Sequence, residues 1–202
     1  MKKMLVAVLA VALAFTCSTA FAGNNIGRGT KELGIFTGIN ETESSDSVSS
    51  NSSLSDSVNL NLNYGIFLVG GLQVGISLMA DQTKSWQEVN GSKVAGSEST
   101  NKTTFEFIDV KYNFVFSKSQ PVVPFIGIGL GAAQMSNTSA GTTTSNSGSA
   151  AKFGVGVKFF LTENTSLNAE ISTKSFTFTP EGSNVEYTQD TTGLNVGLSV
   201  YF

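Results

Sequence analysis

The chain has 202 residues, a formal net charge of −3 and no histidine. The absent imidazole excludes histidine-based acid–base catalysis, Ser-His-Asp triads and His-ligated metals. The mild acidity argues against a nucleic-acid partner, which would want a basic face.

Lys2 and Lys3 open a basic n-region, and MLVAVLAVALAF follows as an apolar core of about a dozen residues. Ala20-Phe21-Ala22 then places small residues at the two positions a signal peptidase reads. The core is too short for a helical bilayer span, which needs about 20 residues. A cleaved secretory signal is therefore expected over residues 1–22, with cleavage after Ala22 and Gly23 as the new N-terminus. Cys17 is the only cysteine in the chain. It would leave with the signal, which excludes disulfides and thiolate chemistry from the rest. Loss of Lys2 and Lys3 would take the charge from −3 to −5. The remaining ~180 residues, 23–202, suit one domain.

Strict alternation then runs to the end of the chain. KELGIFTGIN puts Leu33, Ile35, Thr37 and Ile39 on one face, with Gly34, Phe36 and Gly38 on the other. Val58, Leu60, Leu62 and Tyr64 oppose Asn59, Asn61 and Asn63. Leu72, Val74, Ile76 and Leu78 oppose Gln73, Gly75, Ser77 and Met79. Ile108, Val110, Tyr112 and Phe114 oppose Asp109, Lys111 and Asn113. Ile126, Ile128 and Leu130 oppose three glycines, and Phe153, Val155, Val157 and Phe159 oppose Lys152, Gly154, Gly156 and Lys158. Leu167, Ala169 and Ile171 oppose Asn168, Glu170 and Ser172, and Leu194 to Phe202 form an eighth stretch. Period two means strands with one apolar and one polar face.

The connections alternate too. Those around 41–56, 82–103, 136–149 and 179–189 are long and rich in Ser, Thr, Asn and Gly; those at 68–71, 117–123 and 162–165 are short. Long loops on one side and tight turns on the other is the transmembrane barrel pattern. No apolar run of 18 residues follows the signal, so no helical span is expected. The expected fold is all-β: an eight-stranded, antiparallel, up-and-down transmembrane barrel. It must close, because unpaired backbone groups in hydrocarbon are very costly.

Tyr64, Phe67, Tyr112, Phe114, Phe159 and Phe202 lie near the short-turn ends and are expected to form an interfacial girdle. Phe105, Phe107, Phe176 and Phe178 lie near the long-loop ends and are candidates for a second belt. Phe202 closes the last apolar stripe. A terminal aromatic on an alternating strand resembles the C-terminal signature of bacterial outer-membrane proteins, which the barrel-assembly machinery recognises.

NYGIFLVGGLQVGISL and GVGVKFFLTENTSLNAEIS resemble the strand–short turn–strand units of the small outer-membrane β-barrel family related to the OmpA transmembrane domain and OmpX. VPFIGIGLGAA is similar to a family strand after its proline turn. The resemblance covers the mature chain and implies a Gram-negative outer-membrane location. It implies outer-membrane lipid as surroundings, and the assembly machinery and periplasmic chaperones as partners in transit. With the chain ending at Phe202, no counterpart of OmpA's peptidoglycan-binding domain is expected, and the resemblance implies no cell-wall tether.

Asp81, Asp109, Lys111, Lys152, Lys158, Glu170 and Lys174 share the inward face. Eight strands leave an interior just wide enough for side chains, so opposite charges are expected to pair there. Asp109, Lys111, Lys158 and Glu170 are expected to form the core of that network. The alternative is that these residues line a narrow ion path. GIGLG and GVGVK fit no phosphate loop and open no helix. Trp86 is expected in the longest loop, where it could anchor an adhesive contact. No catalytic residue, metal site or cofactor is expected. The expected function is a structural, envelope-stabilising barrel that displays polar loops as a monomer. A small pore and a loop-mediated adhesin are the rivals.

Overall fold

A computed structural model describes residues 23–43, 53–89, 92–93, 96–139, 141–179 and 187–202. The expected signal segment, including Ala22, lies outside the described residues. Among the described residues nine strands appear in chain order: β1 (Lys31–Glu43), β2 (Ser53–Val69), β3 (Leu72–Val89), β4 (Ser92–Lys93), β5 (Ser99–Asn113), β6 (Val122–Ser139), β7 (Thr142–Thr162), β8 (Thr165–Phe178) and β9 (Tyr187–Tyr201). Every pairing is antiparallel. Eight strands follow one another as β2-β1-β9-β8-β7-β6-β5-β3, and a β2–β3 ladder closes the ring. The two-residue β4 lies outside it, paired with the end of β3. The seam between the first and last strands runs from Glu32↔Tyr201 to Glu43↔Asp190.

Alternation decides which side chains face where. Leu33, Ile35, Leu60, Ile76, Ile108, Ile128, Leu130 and Leu198 are among the large apolar side chains exposed on the outside. Such a belt is far larger than the apolar patches that water-soluble monomers tolerate, and it matches a lipid-facing band. Glycines on the inward face leave room for large neighbours. A methyl group at Gly156 would sit 2.5 Å from the Phe125 ring, and one at Gly197 would sit 2.6 Å from that of Phe36.

Two of the expected long loops, 82–103 and 136–149, are largely strand among the described residues; those at 41–56 and 179–189 fall mostly outside the described residues. β3 runs to Val89, β5 begins at Ser99, and β6 and β7 are separated by residues 140 and 141 alone. The Ser/Thr run pairs as a ladder, with Ser136 opposite Ser145 and Thr138 opposite Thr143. Their outward hydroxyls pair across the strands at 3.1 and 3.0 Å. The apolar alternation stops where the lipid stops, but β pairing continues into water. Trp86 lies on β3 opposite Leu54 rather than in a loop.

At the short-turn end, Gly70 and Gly71 make the β2–β3 turn with φ of 54° and 87°. Two successive left-handed residues suit a tight hairpin, and glycine adopts them without steric cost. The segment 23–30 crosses this end. Asn24 donates from its backbone N–H to Lys118 O at 2.8 Å, Asn25 to Glu163 O at 3.1 Å and Gly29 to Phe67 O at 2.8 Å.

Ile128 sits at the centre of the aliphatic run of β6, whereas Thr177 lies beyond the band on β8. Ile128→Arg is expected to cost about 2–4 kcal/mol of folding free energy in lipid and Thr177→Arg about 1 kcal/mol or less. Urea titration in bilayers measures both.

Candidate functional site

The lumen is stacked in layers. At the short-turn end, Ile26, Phe67, Val123, Phe160 and Tyr201 form a buried apolar cluster. At the other end Met79, Phe105, Phe107, Ala133, Met135, Ala150 and Phe176 form a second cluster, with Phe178 packed against it. Phe105 and Phe107 stack at 5.7 Å between centroids, and Phe176 meets Phe105 edge-on at 6.3 Å.

This arrangement corrects the expected aromatic belts. Phe67, Phe105, Phe107 and Phe176 are buried inside the barrel. Their parity explains it: Phe105 and Phe107 share a face with Asp109 and Lys111, Phe176 with Lys174, and Phe67 with Asn63. Phe159 is also buried rather than exposed. Tyr112, Phe114 and Phe202 do stand exposed on the outside, with the Tyr112 and Phe114 rings 5.1 Å apart.

Between the clusters lie the charges. The Lys158 ammonium donates to Glu32 Oε2 at 2.5 Å. Glu32 also accepts from Gln73 Nε2 at 2.8 Å and from Ser199 Oγ at 2.7 Å. Ser199 accepts in turn from Asn168 Nδ2 at 2.7 Å, and Asn168 Oδ1 accepts from Ser166 Oγ, also at 2.7 Å. The rings of Phe67, Phe125 and Tyr201 surround the same ammonium at 5.3, 5.6 and 5.6 Å. Such faces attract a cation, more so when water is excluded.

Among the described residues three further ion pairs lie inside the barrel. Lys152 approaches Asp109 at 3.0 Å, Lys111 approaches Glu170 at 3.9 Å, and Lys174 pairs with Asp81 beside the upper cluster. Of the four residues expected to form the core, Lys111 and Glu170 face each other, while Asp109 and Lys158 take Lys152 and Glu32 instead. Glu32 went unread in the sequence because the first strand was counted from its apolar residues. Its parity with Gly34 and Phe36 was the available signal. A narrow cavity lined by Asn63, Gln73, Asp109 and Lys111 has space for about one water molecule.

The model of the outer membrane protein beta-barrel domain family matches residues 7–202. The chain belongs to this family. Its barrel therefore sits in the outer membrane, with short turns towards the periplasm and long strands outside. The structure is similar to Neisserial surface protein A, at 16% identity and a TM-score of 0.57, over 87% of this chain and 100% of that one. It is similar to OprG from Pseudomonas aeruginosa, at 13% identity and a TM-score of 0.54, over 89% of this chain and 98% of that one. It is also similar to Ail, the attachment invasion locus protein of Yersinia pestis, at 14% identity and a TM-score of 0.51, over 87% and 99%. These likenesses show the fold. No curated protein matches the chain by sequence.

Removing one partner of a buried ion pair strands the other charge, at a cost of about 3–5 kcal/mol. Glu32→Gln is expected to destabilise the folded barrel on that scale. The double variant Glu32→Leu/Lys158→Met is expected to recover most of the loss, read as urea midpoints in the same lipid.

Proposed function

We propose that the protein is a non-catalytic, monomeric structural barrel with a closed lumen, which stabilises the outer membrane and carries a polar β-surface above it. The stacking of an apolar cluster at each end of a charge-paired middle carries this reading. An ion crossing the lumen would have to pass Phe67, Phe160 and Tyr201 at one end and Phe105, Phe107 and Phe176 at the other. Between them, each described inward acid pairs with a lysine. The cavity beside Asp109 and Lys111 holds about one water, which supports a packed rather than an open interior. The reading also includes delivery through a cleaved signal at Ala22–Gly23, escort by periplasmic chaperones, and Phe202 as the signal to the assembly machinery. Exposure of the Phe202 ring at the last strand's end supports that role.

In planar bilayers the purified barrel is expected to show no stable ohmic conductance. Steady steps abolished by charge swaps at Asp109, Lys111, Lys158 and Glu170 would replace this reading with that of a small pore.

A second reading, adhesion, is favoured by the projecting strands. β7 runs for 21 residues, about twice the 9–11 that a bilayer crossing takes. Its outer part and its neighbours present Ser and Thr hydroxyls outwards, with Thr173 paired to Thr192 and Thr177 to Thr188 at 3.1 Å. The structural neighbour Ail bears an attachment function in its name. If this surface binds host cells, deleting residues 137–144 from the β6–β7 hairpin should lower cell binding at least several-fold with the heat-shifted gel band intact. Unchanged binding by that variant would set the hairpin aside.

A further inference from the structure

We propose that Gly23–Thr30 is a strap that closes the periplasmic mouth of the lumen and keeps its first charge pair dry. The proposal rests on the closed-lumen reading and adds the part that closes one end.

The strap has no strand pairing of its own. It is laced instead to two periplasmic connections and to the end of β2. Asn24 donates its backbone N–H to Lys118 O, and its side-chain amide to Ser117 O and Gln120 O, each at 2.9 Å, in the β5–β6 connection. Asn25 donates its backbone N–H to Glu163 O and its side-chain amide to Asn164 Oδ1 at 3.0 Å, in the β7–β8 turn. Gly29 donates to Phe67 O at the end of β2, and Thr30 O accepts from Phe67 N at 2.9 Å. Between these ties, Ile26 drops its side chain among Phe67, Val123, Phe160 and Tyr201 and is 5% exposed.

The placement matters because of what lies beneath. Phe67 and Tyr201 are two of the rings around the Lys158 ammonium, and Lys158 holds Glu32. Water admitted here would weaken both the ion pair and the ring contacts, since each gains from low dielectric. Polar ties at both ends and a single apolar anchor make a part that can lift without unzipping a strand. Gly29, with φ of 86°, is the natural pivot where the strap joins β1. The upper aromatic cluster would stay in place, so lifting the strap opens a blind vestibule and not a pore. Conductance therefore tests the closed lumen, and accessibility at the lower cluster tests the strap.

The test uses the full chain, expressed and assembled in the outer membrane in a Cys17→Ser background. Val123→Cys reports the lower cluster and Ala133→Cys the upper one, each probed with a membrane-impermeant maleimide admitted to the periplasm. With the strap intact both positions should label slowly. Adding Ile26→Ser with Asn24→Ala should speed labelling at position 123 at least tenfold, leave position 133 slow and keep the heat-shifted gel band. The milder Asn24→Ala/Asn25→Ala pair, which spares Ile26, should give a smaller rise in the same direction. Fast labelling of position 123 behind an intact strap would overturn the proposal, as would an unchanged rate in both variants. Equal acceleration at position 133, or loss of the folded band in the milder pair, would make the segment a general brace of the barrel and likewise overturn it.

Discussion

Backbone pairing in a solvent without water is the constraint on which the rest depends. Hydrocarbon offers no partner to an N–H or C=O group, so a sheet within it has no tolerable edge. The chain meets this by bringing its first and last strands together from Glu32↔Tyr201 upward, and by joining β2 to β3 across the other side. Once closed, a cylinder has two surfaces only, and the period of two assigns every residue to one of them. Aliphatic side chains go to lipid. Everything that lipid rejects goes to a lumen just wide enough to be packed with it.

That lumen then has its own problem to solve. Burying Glu32, Asp109 and Glu170 with Lys111, Lys152, Lys158 and Lys174 removes hydration that only good pairing offsets. Glu32, Asp81, Asp109 and Glu170 each meet one lysine, and aromatic rings lie over the four ammonium groups. The charges and the aromatics are thus one device. The rings of the two apolar clusters both exclude water from the middle and offer their faces to its cations.

The outward face was legible in the sequence almost residue by residue, because lipid imposes a simple rule on it. The inward charges were legible by the same parity. Their partners were not, since pairing across a barrel depends on shear and side-chain reach that alternation does not encode: Lys158 reaches Glu32, 126 positions away in the chain. The aromatics misled because ring chemistry suggested interface belts while the parity of Phe105, Phe107 and Phe176 already pointed inward. The Ser/Thr runs misled for a different reason. They lack the apolar beat of a strand, yet a strand with water on its outer side needs none, and β6 and β7 pair through to Ser139↔Thr142.

Closure with a defined register is most directly tested by cross-linking the first strand to the last. Ile35 and Leu198 are opposite one another on β1 and β9, with side chains towards lipid. In intact outer membranes, Ile35→Cys/Leu198→Cys in a Cys17→Ser background should oxidise to a disulfide with high yield and change mobility after boiling without reductant. The pair shifted by two residues, Ile35→Cys/Val196→Cys, should cross-link far less. Absence of a link between 35 and 198, or equal yields from the two pairs, would mean that the sheet is not closed in this register.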